Sequence, residues 1–318
     1  MENIVESTPK KAKRKSVSYA KWGIIFIIPF FVIYFAFTLY PQITTFIYSF
    51  NEYYRPLPGR YIGPNFVGFQ NYIELFTPSE HTGSIMILQC LWNTVIMWVI
   101  GAVVQLGLSL LLALLFTSTR INLRCAGFFK SVFYMPNLIM ASAFAFLFFA
   151  LFDKMGPFNQ ILVSWGWLAE PFDFVQGNVW SARGLVAFMN FLMWFGNTTI
   201  LLMAGIMGID ESLFESARMD GATSFKVFKD ITLPLLKPIL VYVLITSMIG
   251  GLQMYDVPYV LSKKIGGPDN STKTLVMLLN DYLGGYDYGM AGATAIVLFI
   301  VTAILSFFVY KSITKKDN

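Results

Sequence analysis

Long apolar runs separated by short polar segments dominate the chain. Each run is close to the roughly 20 residues that a helix needs to cross a bilayer. The six runs are Trp22–Tyr40, Leu91–Phe116, Val132–Phe152, Leu185–Ile206, Ile239–Tyr255 and Met290–Tyr310. The pattern therefore predicts an all-α integral membrane protein with six transmembrane helices.

The composition supports a membrane protein. The chain is 56% hydrophobic and only 13% charged, whereas soluble domains carry about 25% charged residues. The alternative is that the runs are core helices of a large soluble protein. Such helices usually keep a polar face, which these runs lack.

Lysine and arginine are distributed unequally between the loops. Sixteen of the 23 lie on the side of the spans that holds both termini, and seven lie on the other. The positive-inside rule therefore places both termini in the cytoplasm. We predict a basic cytoplasmic tail at 1–21, a transmembrane domain at 22–310 and a cytoplasmic tail at 311–318. The first run is too long for a signal peptide and is interpreted as a retained anchor.

Catalytic constellations are missing from the sequence. His81 is the only histidine, and Cys90 and Cys125 are separated by a span, so neither a metal site nor a disulfide is predicted. No G-x-x-x-x-G-K-[ST] phosphate loop occurs. The acidic residues of one external loop are Asp153, Glu170 and Asp173. They could form an acid–base pair, but solvated carboxylates are the simpler interpretation. We predict no enzyme activity, no metal and no cofactor.

A charged segment, ESARMDGATSFKVFKDITLPLLKP, lies on the cytoplasmic side between the fourth and fifth runs. Ser212 followed by Glu215 is a capping-box pattern that predicts the start of a helix, and Gly221 suits its end. A second helix is predicted to begin at Thr223 or Ser224. It should end before Pro234, because a residue that precedes proline disfavours the helical conformation.

Apolar side chains recur on one face of each of these helices. They are Leu213, Phe214 and Ala217 on the first, and Phe225, Phe228 and Ile231 on the second. Apolar side chains in a cytoplasmic loop indicate a partner. The alternative, above all for the second helix, is packing against the chain's own helices or the bilayer surface. Small residues beside Glu215 and Asp220 favour close packing of the first helix against a partner protein.

The same segment resembles the EAA loop of importer permeases of the ATP-binding cassette superfamily. The family pattern is E-A-A, three residues, G, nine residues, then I-x-L-P. This chain has Glu215-Ser216-Ala217, Gly221 and Ile231-Thr232-Leu233-Pro234 with both gaps kept. Ser216 in place of alanine is the one departure.

The resemblance extends along most of the chain. YPQITTFIYSFNEYY, FVGFQNYIELF and IGGPDNST resemble the carbohydrate-uptake branch typified by the maltose and sn-glycerol-3-phosphate permeases. Two different permeases pair in that branch. The C-terminal FFVYKSITKKDN lacks the glycine-rich tail of the second type, so the chain is similar to the first, the maltose permease F type.

The resemblance implies a type I ABC importer permease fold in a bacterial or archaeal plasma membrane. It implies a second permease, a separate ATPase dimer, an external sugar-binding protein and no nucleic acid as partners. The first helix of the loop at 209–238 is then the coupling helix, which sits in a cleft of the ATPase. The residues implied in coupling are Glu215, Ser216, Ala217, Asp220, Gly221 and Ala222.

Polar residues inside apolar spans are costly and therefore mark a candidate substrate path. The candidates are Asn137, Asn190, Gln253 and Asp256, with Asn93 and Gln105 in the second span and the aromatic residues Trp194 and Tyr255. Amides and aromatic faces suit sugars. No lysine or arginine lies deep in a span, which favours a neutral sugar over an anion.

The family comparison implies the same path. Asn190, Gln253 and Asp256 fall where the maltose permease has substrate-contacting asparagines, and Asn137 falls beside a matching proline. We expect Gln253 and Asp256 to share one helix face. Interhelical hydrogen bonding is the alternative role for each residue. Alternative functions are transport of glycerol phosphate or a polyamine, and a multi-pass membrane enzyme.

Overall fold

A computed structural model describes residues 19–78, 83–118, 125–264 and 266–314. Most of the predicted basic tail, His81, the loop at 119–124 and the last four residues lie outside the described residues. The helices are α1 (Ala20–Tyr34), α2 (Tyr40–Tyr48), α3 (Gln70–Leu75), α4 (Met86–Thr117), α5 (Ala126–Tyr134), α6 (Ala141–Phe152), α7 (Pro157–Ser164), α8 (Val179–Met207), α9 (Glu211–Met219), α10 (Ser224–Val227), α11 (Leu233–Leu252), α12 (Asp256–Leu261), α13 (Leu275–Gly284) and α14 (Tyr288–Thr314). The strands are β1 (Asn51–Leu57) and β2 (Arg60–Phe66).

Six helical segments of the described chain are long and apolar enough to cross a membrane. They are Lys21–Tyr48, Met86–Thr117, Ala141–Ser164, Val179–Met207, Ser224–Leu261 and Tyr288–Thr314. The number of predicted spans is therefore confirmed. The first, second, fourth, fifth and sixth predictions fall within these segments. The third begins before its segment, and the fifth segment is interrupted by a break that was not predicted.

The predicted continuous helix over Val132–Phe152 is wrong. Helix α5 ends at Tyr134, a 3₁₀ turn follows at Met135–Leu138, and the backbone is extended before α6 begins. Pro136 occupies the first turn of the 3₁₀ helix. Proline has no N–H for an α-helical hydrogen bond and its ring crowds the preceding turn, so the α-helix stops here. The third apolar segment consists instead of α6 and α7.

The predicted end of the second loop helix before Pro234 is also wrong. Helix α10 passes through a π-helical turn at Phe228–Thr232 directly into α11. Pro234 lies in the first turn of α11. That placement fits proline at a helix start, because its fixed φ suits the helix and its missing N–H matters least there.

The fifth span is broken near its other end. Helix α11 stops at Leu252, Tyr255 has non-helical backbone angles, and α12 begins at Asp256. The prediction that Gln253 and Asp256 share one helix face is therefore wrong. Pro258 explains the break, because in a continuous helix its ring would clash with the carbonyl of Met254, four residues earlier.

The chain divides into two units, Met1–Thr45 and Phe46–Asn318. In the first unit, α1 continues through a π-helical turn at Phe35–Leu39 into the start of α2. The hydroxyls of Thr44 and Thr45 donate to the carbonyl of Pro41 at 2.9 and 2.8 Å. These bonds satisfy the threonine hydroxyls within the helix itself.

Helices α4 and α8 form the centre of the second unit, packing along each other. Gly101 permits their close approach, since a Cβ there would lie 3.0 Å from the carbonyl oxygen of Ala187. A buried hydrogen bond of 2.8 Å from Ser109 Oγ to the Phe195 carbonyl also joins them. Around this pair lie apolar clusters with α6 and α12, with α13 and α14, and with α11.

An antiparallel β-hairpin, formed by β1 and β2, is an element that the sequence analysis missed. It turns at Pro58-Gly59, and a backbone bridge joins Tyr54 to Asp287 just before α14. The Asn71 side chain donates to the carbonyls of Ser49 and Asn51 at 3.0 and 2.9 Å. The hairpin is therefore anchored, while the fold remains predominantly helical.

Candidate functional site

A cavity of about 180 Å³ lies between α4, α8 and α11. Its polar lining residues are Gln105, Asn190, Asn197, Thr198, Thr246 and Ser247. Its aromatic lining residues are Trp98, Phe191, Trp194 and Tyr242. Among the described residues that line it, none carries a charge. Amide, hydroxyl and indole groups can hydrogen-bond and stack on an uncharged, hydroxyl-rich solute.

Hydrogen bonds fix several of the polar side chains. Gln105 Nε2 donates to Thr198 Oγ1 at 2.8 Å, which ties α4 to α8. Asn190 Nδ2 donates to the Val186 carbonyl at 3.1 Å and lies 3.7 Å from Met254 Sδ. The amides are therefore oriented before any solute enters, which lowers the entropy cost of binding.

Two tryptophans border the cavity from different helices. Trp98 belongs to α4, and its Nε1 lies 3.4 Å from Ser247 Oγ on α11. Trp194 belongs to α8 and is 47% exposed. Indole faces are large, rigid and apolar, so they suit the apolar face of a sugar ring.

The structure separates the predicted substrate residues. Asn190 and Trp194 line the cavity, whereas the four others do not: Asn137, Gln253, Tyr255 and Asp256. Asn137 Nδ2 donates to the Met193 carbonyl at 3.2 Å, which is the interhelical bond considered as its alternative role. Tyr255 stacks on Tyr259 with ring centroids 4.7 Å apart. Gln253 and Asp256 are exposed at the break in the fifth span.

Several lining residues were not singled out from the sequence. Asn197 follows Asn190 by seven residues and therefore lies on the same face of α8, a spacing that could have identified it. Trp98, Thr246 and Ser247 lie in runs without a polar periodicity, so only the packing of α4 against α11 places them at the cavity. Asn93, noted as polar, bonds instead to the backbone of residues 270 and 273.

The coupling residues implied by the family resemblance lie in α9 and in the three residues that follow it. The predicted start at Ser212 is wrong, because Asp210 is the N-cap and its Oδ1 accepts from the Ser212 N–H at 3.0 Å. This backbone hydrogen bond holds the pKa of the Asp210 carboxyl below its ordinary value. An aspartate N-cap also favours the positive end of the helix dipole.

Gly221 ends α9, as predicted. Its φ is +71°, a left-handed conformation that glycine adopts without strain. The N–H of Gly221 donates to the Arg218 carbonyl at 3.0 Å, and the N–H of Ala222 donates to the Ala217 carbonyl at 2.9 Å. These two bonds form a Schellman motif, which fixes where the chain leaves the helix.

The two sides of α9 differ in exposure. Phe214 and Ala217 are half-buried, whereas Leu213 on the same face of the helix is 44% exposed. Glu215 and Ser216 are exposed. Met219, which sequence reasoning missed, is 89% exposed beside them. Leu213 and Met219 therefore leave apolar surface exposed on α9.

No group of three or more His, Cys, Asp or Glu side chains that could hold a metal occurs within the described residues.

Comparisons with known proteins identify several relatives of the chain. The chain is 33% identical to the arabinooligosaccharides transport system permease protein AraP of Bacillus subtilis (strain 168), over 95% of this chain and 92% of AraP. It is 29% identical to the lactose transport system permease protein LacF of Rhizobium radiobacter, over 90% and 91% of the two chains. It is 30% identical to the trehalose/maltose transport system permease protein MalF of Thermococcus litoralis, over 91% of each.

A solved structure shares the fold. It is the crystal structure of a bacterial ABC transporter involved in the import of the acidic polysaccharide alginate, with a TM-score of 0.74 and 20% identity, covering 94% of this chain and 97% of that one. Residues 105–316 match the family described as binding-protein-dependent transport system inner membrane component. The chain therefore belongs to this family of multi-pass membrane permeases of ABC importers.

Proposed function

We propose that this chain is the permease subunit of an ATP-driven importer that takes up a neutral sugar, and more narrowly an oligosaccharide, delivered by a binding protein. The observation that carries the proposal is the uncharged cavity between α4, α8 and α11, lined by amides, hydroxyls and two indoles. Three relatives are named for the transport of arabinooligosaccharides, lactose and trehalose/maltose, and they support the same solute class.

The charge of the cavity lining argues for a neutral solute. A phosphorylated solute would favour a lysine or arginine, and a polyamine would favour carboxylates. The lining contains neither among the described residues, and the exposed Asp256 lies outside it. A more distant relative, 27% identical, is named for sn-glycerol-3-phosphate transport. That solute is therefore the first competitor to test.

Coupling to ATP hydrolysis would run through α9. Glu215 and Ser216 with the exposed Met219 form a short surface that fits a cleft on a separate ATPase subunit, and the Schellman motif at Gly221 holds that surface in place. Glu215, Ser216, Ala217, Asp220, Gly221 and Ala222 are the proposed coupling residues. The chain itself is not proposed to hydrolyse ATP.

The full transporter would contain this permease, a second and different permease, an ATPase dimer and an external binding protein. We propose a cytoplasmic basic tail at 1–21, a permease domain at 22–310 with the coupling loop at 209–238, and a cytoplasmic tail at 311–318. Both termini face the cytoplasm in this arrangement, because most lysines and arginines lie on that side.

The test is uptake into vesicles that contain the complete transporter. Arabino-oligosaccharides, lactose and trehalose are compared with sn-glycerol-3-phosphate and putrescine, each with the cognate binding protein and internal ATP. We expect ATP-dependent uptake of at least one neutral sugar and none of the charged solutes. Uptake of a charged solute alone would overturn the sugar assignment while leaving the permease assignment intact.

A further inference from the structure

We infer that Thr274, outside the cavity, is a positioning residue that compensates for Pro258 and holds the break in the fifth span in place. The break lies at residues 253–255, between α11 and α12. It brings Met254 to the wall of the cavity, beside Asn190. The hydrogen-bonding role of Thr274 does not depend on which solute is transported. Its consequence for the cavity rests on the proposed function.

Pro258 creates a missing hydrogen bond at Met254. In an α-helix, the carbonyl of Met254 would accept from the backbone N–H of residue 258, which proline does not have. Both residues are buried, so water is a poor substitute partner. A buried carbonyl without a donor loses the hydrogen bond that water gives it in the unfolded chain, and the break would therefore be destabilised.

Thr274 supplies the missing donor. Its Oγ1 donates to the Met254 carbonyl at 3.0 Å. The same oxygen accepts from the N–H of Met277 at 3.2 Å, so it also caps the start of α13. Thr274 is fully buried. The Thr274 hydroxyl therefore makes two hydrogen bonds. It donates to the Met254 carbonyl, which Pro258 leaves without a backbone donor, and it accepts from an N–H in the first turn of α13.

The segment that carries Thr274 is itself clamped to the transmembrane helices. From α4, Gln89 donates to the Asp269 carbonyl at 2.8 Å and Asn93 donates to the Asn270 carbonyl at 2.7 Å. From α8, Arg183 donates to the Ser271 carbonyl at 3.1 Å and to Asn93 Oδ1 at 2.6 Å. These hydrogen bonds hold the backbone of residues 269–271 against α4 and α8. They therefore restrict the movement of Thr274, which follows three residues later.

The hydrogen bonds of this segment connect it, through Met254, to the wall of the cavity. Met254 is held through its carbonyl by Thr274, and its sulfur lies 3.7 Å from the Asn190 amide. A shift of the broken segment would move Met254 and disturb the orientation of Asn190. The external segment 269–274 therefore controls the geometry of the membrane cavity without lining it.

The test is a thiol-labelling experiment on the assembled transporter that needs no solute. The background chain carries Cys90→Ala and Cys125→Ser, which removes both native cysteines. One reporter is Met254→Cys, at the break. The other is Ala113→Cys, which is fully buried in the separate cluster shared by α4, α8 and α11. A small membrane-permeant thiol reagent measures local opening at each site.

Thr274→Val keeps the shape of the side chain but removes the hydroxyl. We expect it to accelerate labelling at residue 254 about five- to a hundredfold, since labelling follows the population of the opened segment, and to leave residue 113 unchanged. Thr274→Ser, which keeps the hydroxyl, should label at the original rate. Equal acceleration at both reporters would indicate global destabilisation and would overturn the inference, as would no acceleration at residue 254.

Pro258→Ala provides the decisive control, because alanine restores an N–H that the Met254 carbonyl can accept. In this background Thr274→Val should accelerate labelling at residue 254 much less. If Thr274→Val accelerates labelling as much in the Pro258→Ala background as without it, the Thr274 hydroxyl does not act through the Met254 carbonyl, and the inference is wrong. If Thr274→Val alone does not reach the membrane, addition of Pro258→Ala should restore it, and failure to do so also overturns the inference.

Discussion

The indole of Trp98 lies directly against the backbone of Gly251. A Cβ added to Gly251 would fall 2.1 Å from Trp98 Cδ1, so either the indole or the helix would have to move. The neighbouring Gly250 has no atom within 4 Å of the same position. Both glycines line the cavity, so the pair separates a packing effect from a change in helix propensity.

Gly251→Ala should displace Trp98 and lower sugar uptake. Overpacking of a close contact costs about 1–3 kcal/mol of folding stability. The displaced indole would also alter the cavity wall, so both the amount of assembled transporter and its apparent affinity should fall. Gly250→Ala makes the same change in helix propensity without meeting any atom within 4 Å, so it should lower uptake much less. Uptake kinetics with saturating binding protein compare the two. If the two variants show the same uptake kinetics, the position of the Trp98 indole does not affect the solute path.

Gly221 should be required for coupling because its backbone is left-handed. Gly221→Val forces a β-branched residue into φ near +71° and should tilt or fray the end of α9. Gly221→Asn should be much milder, because asparagine tolerates this conformation. We expect the valine variant to reach the membrane but to hydrolyse ATP without matching uptake.

The measurement is the ratio of sugar transported to ATP hydrolysed in vesicles. Gly208→Ala is the matched control, since Gly208 caps α8 with a negative φ and only ordinary contacts. A cysteine introduced at Ser216 should crosslink to the ATPase subunit in the wild-type background. Full coupling in the valine variant would contradict the role proposed for the end of α9.

The sequence predicted the parts of the fold that local chemistry determines. The number of apolar spans follows from run length, and the end of α9 follows from Gly221. The break in the fifth span was missed because Pro258 acts four residues upstream, on the Met254 carbonyl, and its compensation comes from Thr274, sixteen positions along the chain from Pro258. The β-hairpin was missed although Pro58-Gly59 is a turn signal, because its tyrosine-rich strands were interpreted only through family resemblance.

The sequence predicted only those residues of the candidate site that spacing along a single helix brings together. Asn190 and Trp194 share a helix face that spacing reveals, whereas Trp98 and Ser247 meet across two helices. Polarity inside a span identified Asn137 correctly as unusual but could not distinguish a solute contact from its bond to the Met193 carbonyl. That distinction depends on which helix lies opposite, and one sequence does not encode it locally.

Asn190→Ala should weaken apparent sugar affinity, and Asn197→Ala should do the same. One neutral hydrogen bond contributes about 0.5–1.5 kcal/mol, so each loss should be roughly two- to twelvefold. Asn137→Ala removes an interhelical bond instead. It should reduce the amount of assembled transporter while leaving the affinity of the remaining transporter unchanged.

Asp256 offers a second comparison for the same assay. It was predicted to contact the solute, but it is exposed outside the cavity at the start of α12. If it contacts the solute in another conformation, Asp256→Ala should lower affinity and Asp256→Asn should be milder. Asp256 variants that lower affinity more than Asn190→Ala would place the main solute contacts at the break rather than in the cavity.

Asp287 should make stability depend on pH near the start of α14. Burial raises the pKa of its carboxyl above the ordinary value, although the N–H groups of Met290 and Gly289 oppose the shift by donating to it. The folded protein therefore binds this proton more tightly than the unfolded chain. The free energy of unfolding should fall as pH rises from about 3.9, the ordinary carboxyl value, through the raised folded pKa, and the loss is complete above it.

Asp287→Asn should remove this dependence, because the amide oxygen still accepts from the Met290 N–H but does not titrate. At pH 7 the asparagine variant should unfold at a higher temperature than the wild type, and the difference should shrink as pH falls towards 4. Asp287→Ala loses the acceptor as well and should be less stable than the asparagine variant at every pH. Thermal unfolding of the solubilised transporter between pH 4 and 7.5 compares the three. Parallel pH profiles for wild type and asparagine variant would mean that the Asp287 carboxyl does not titrate differently in the folded state.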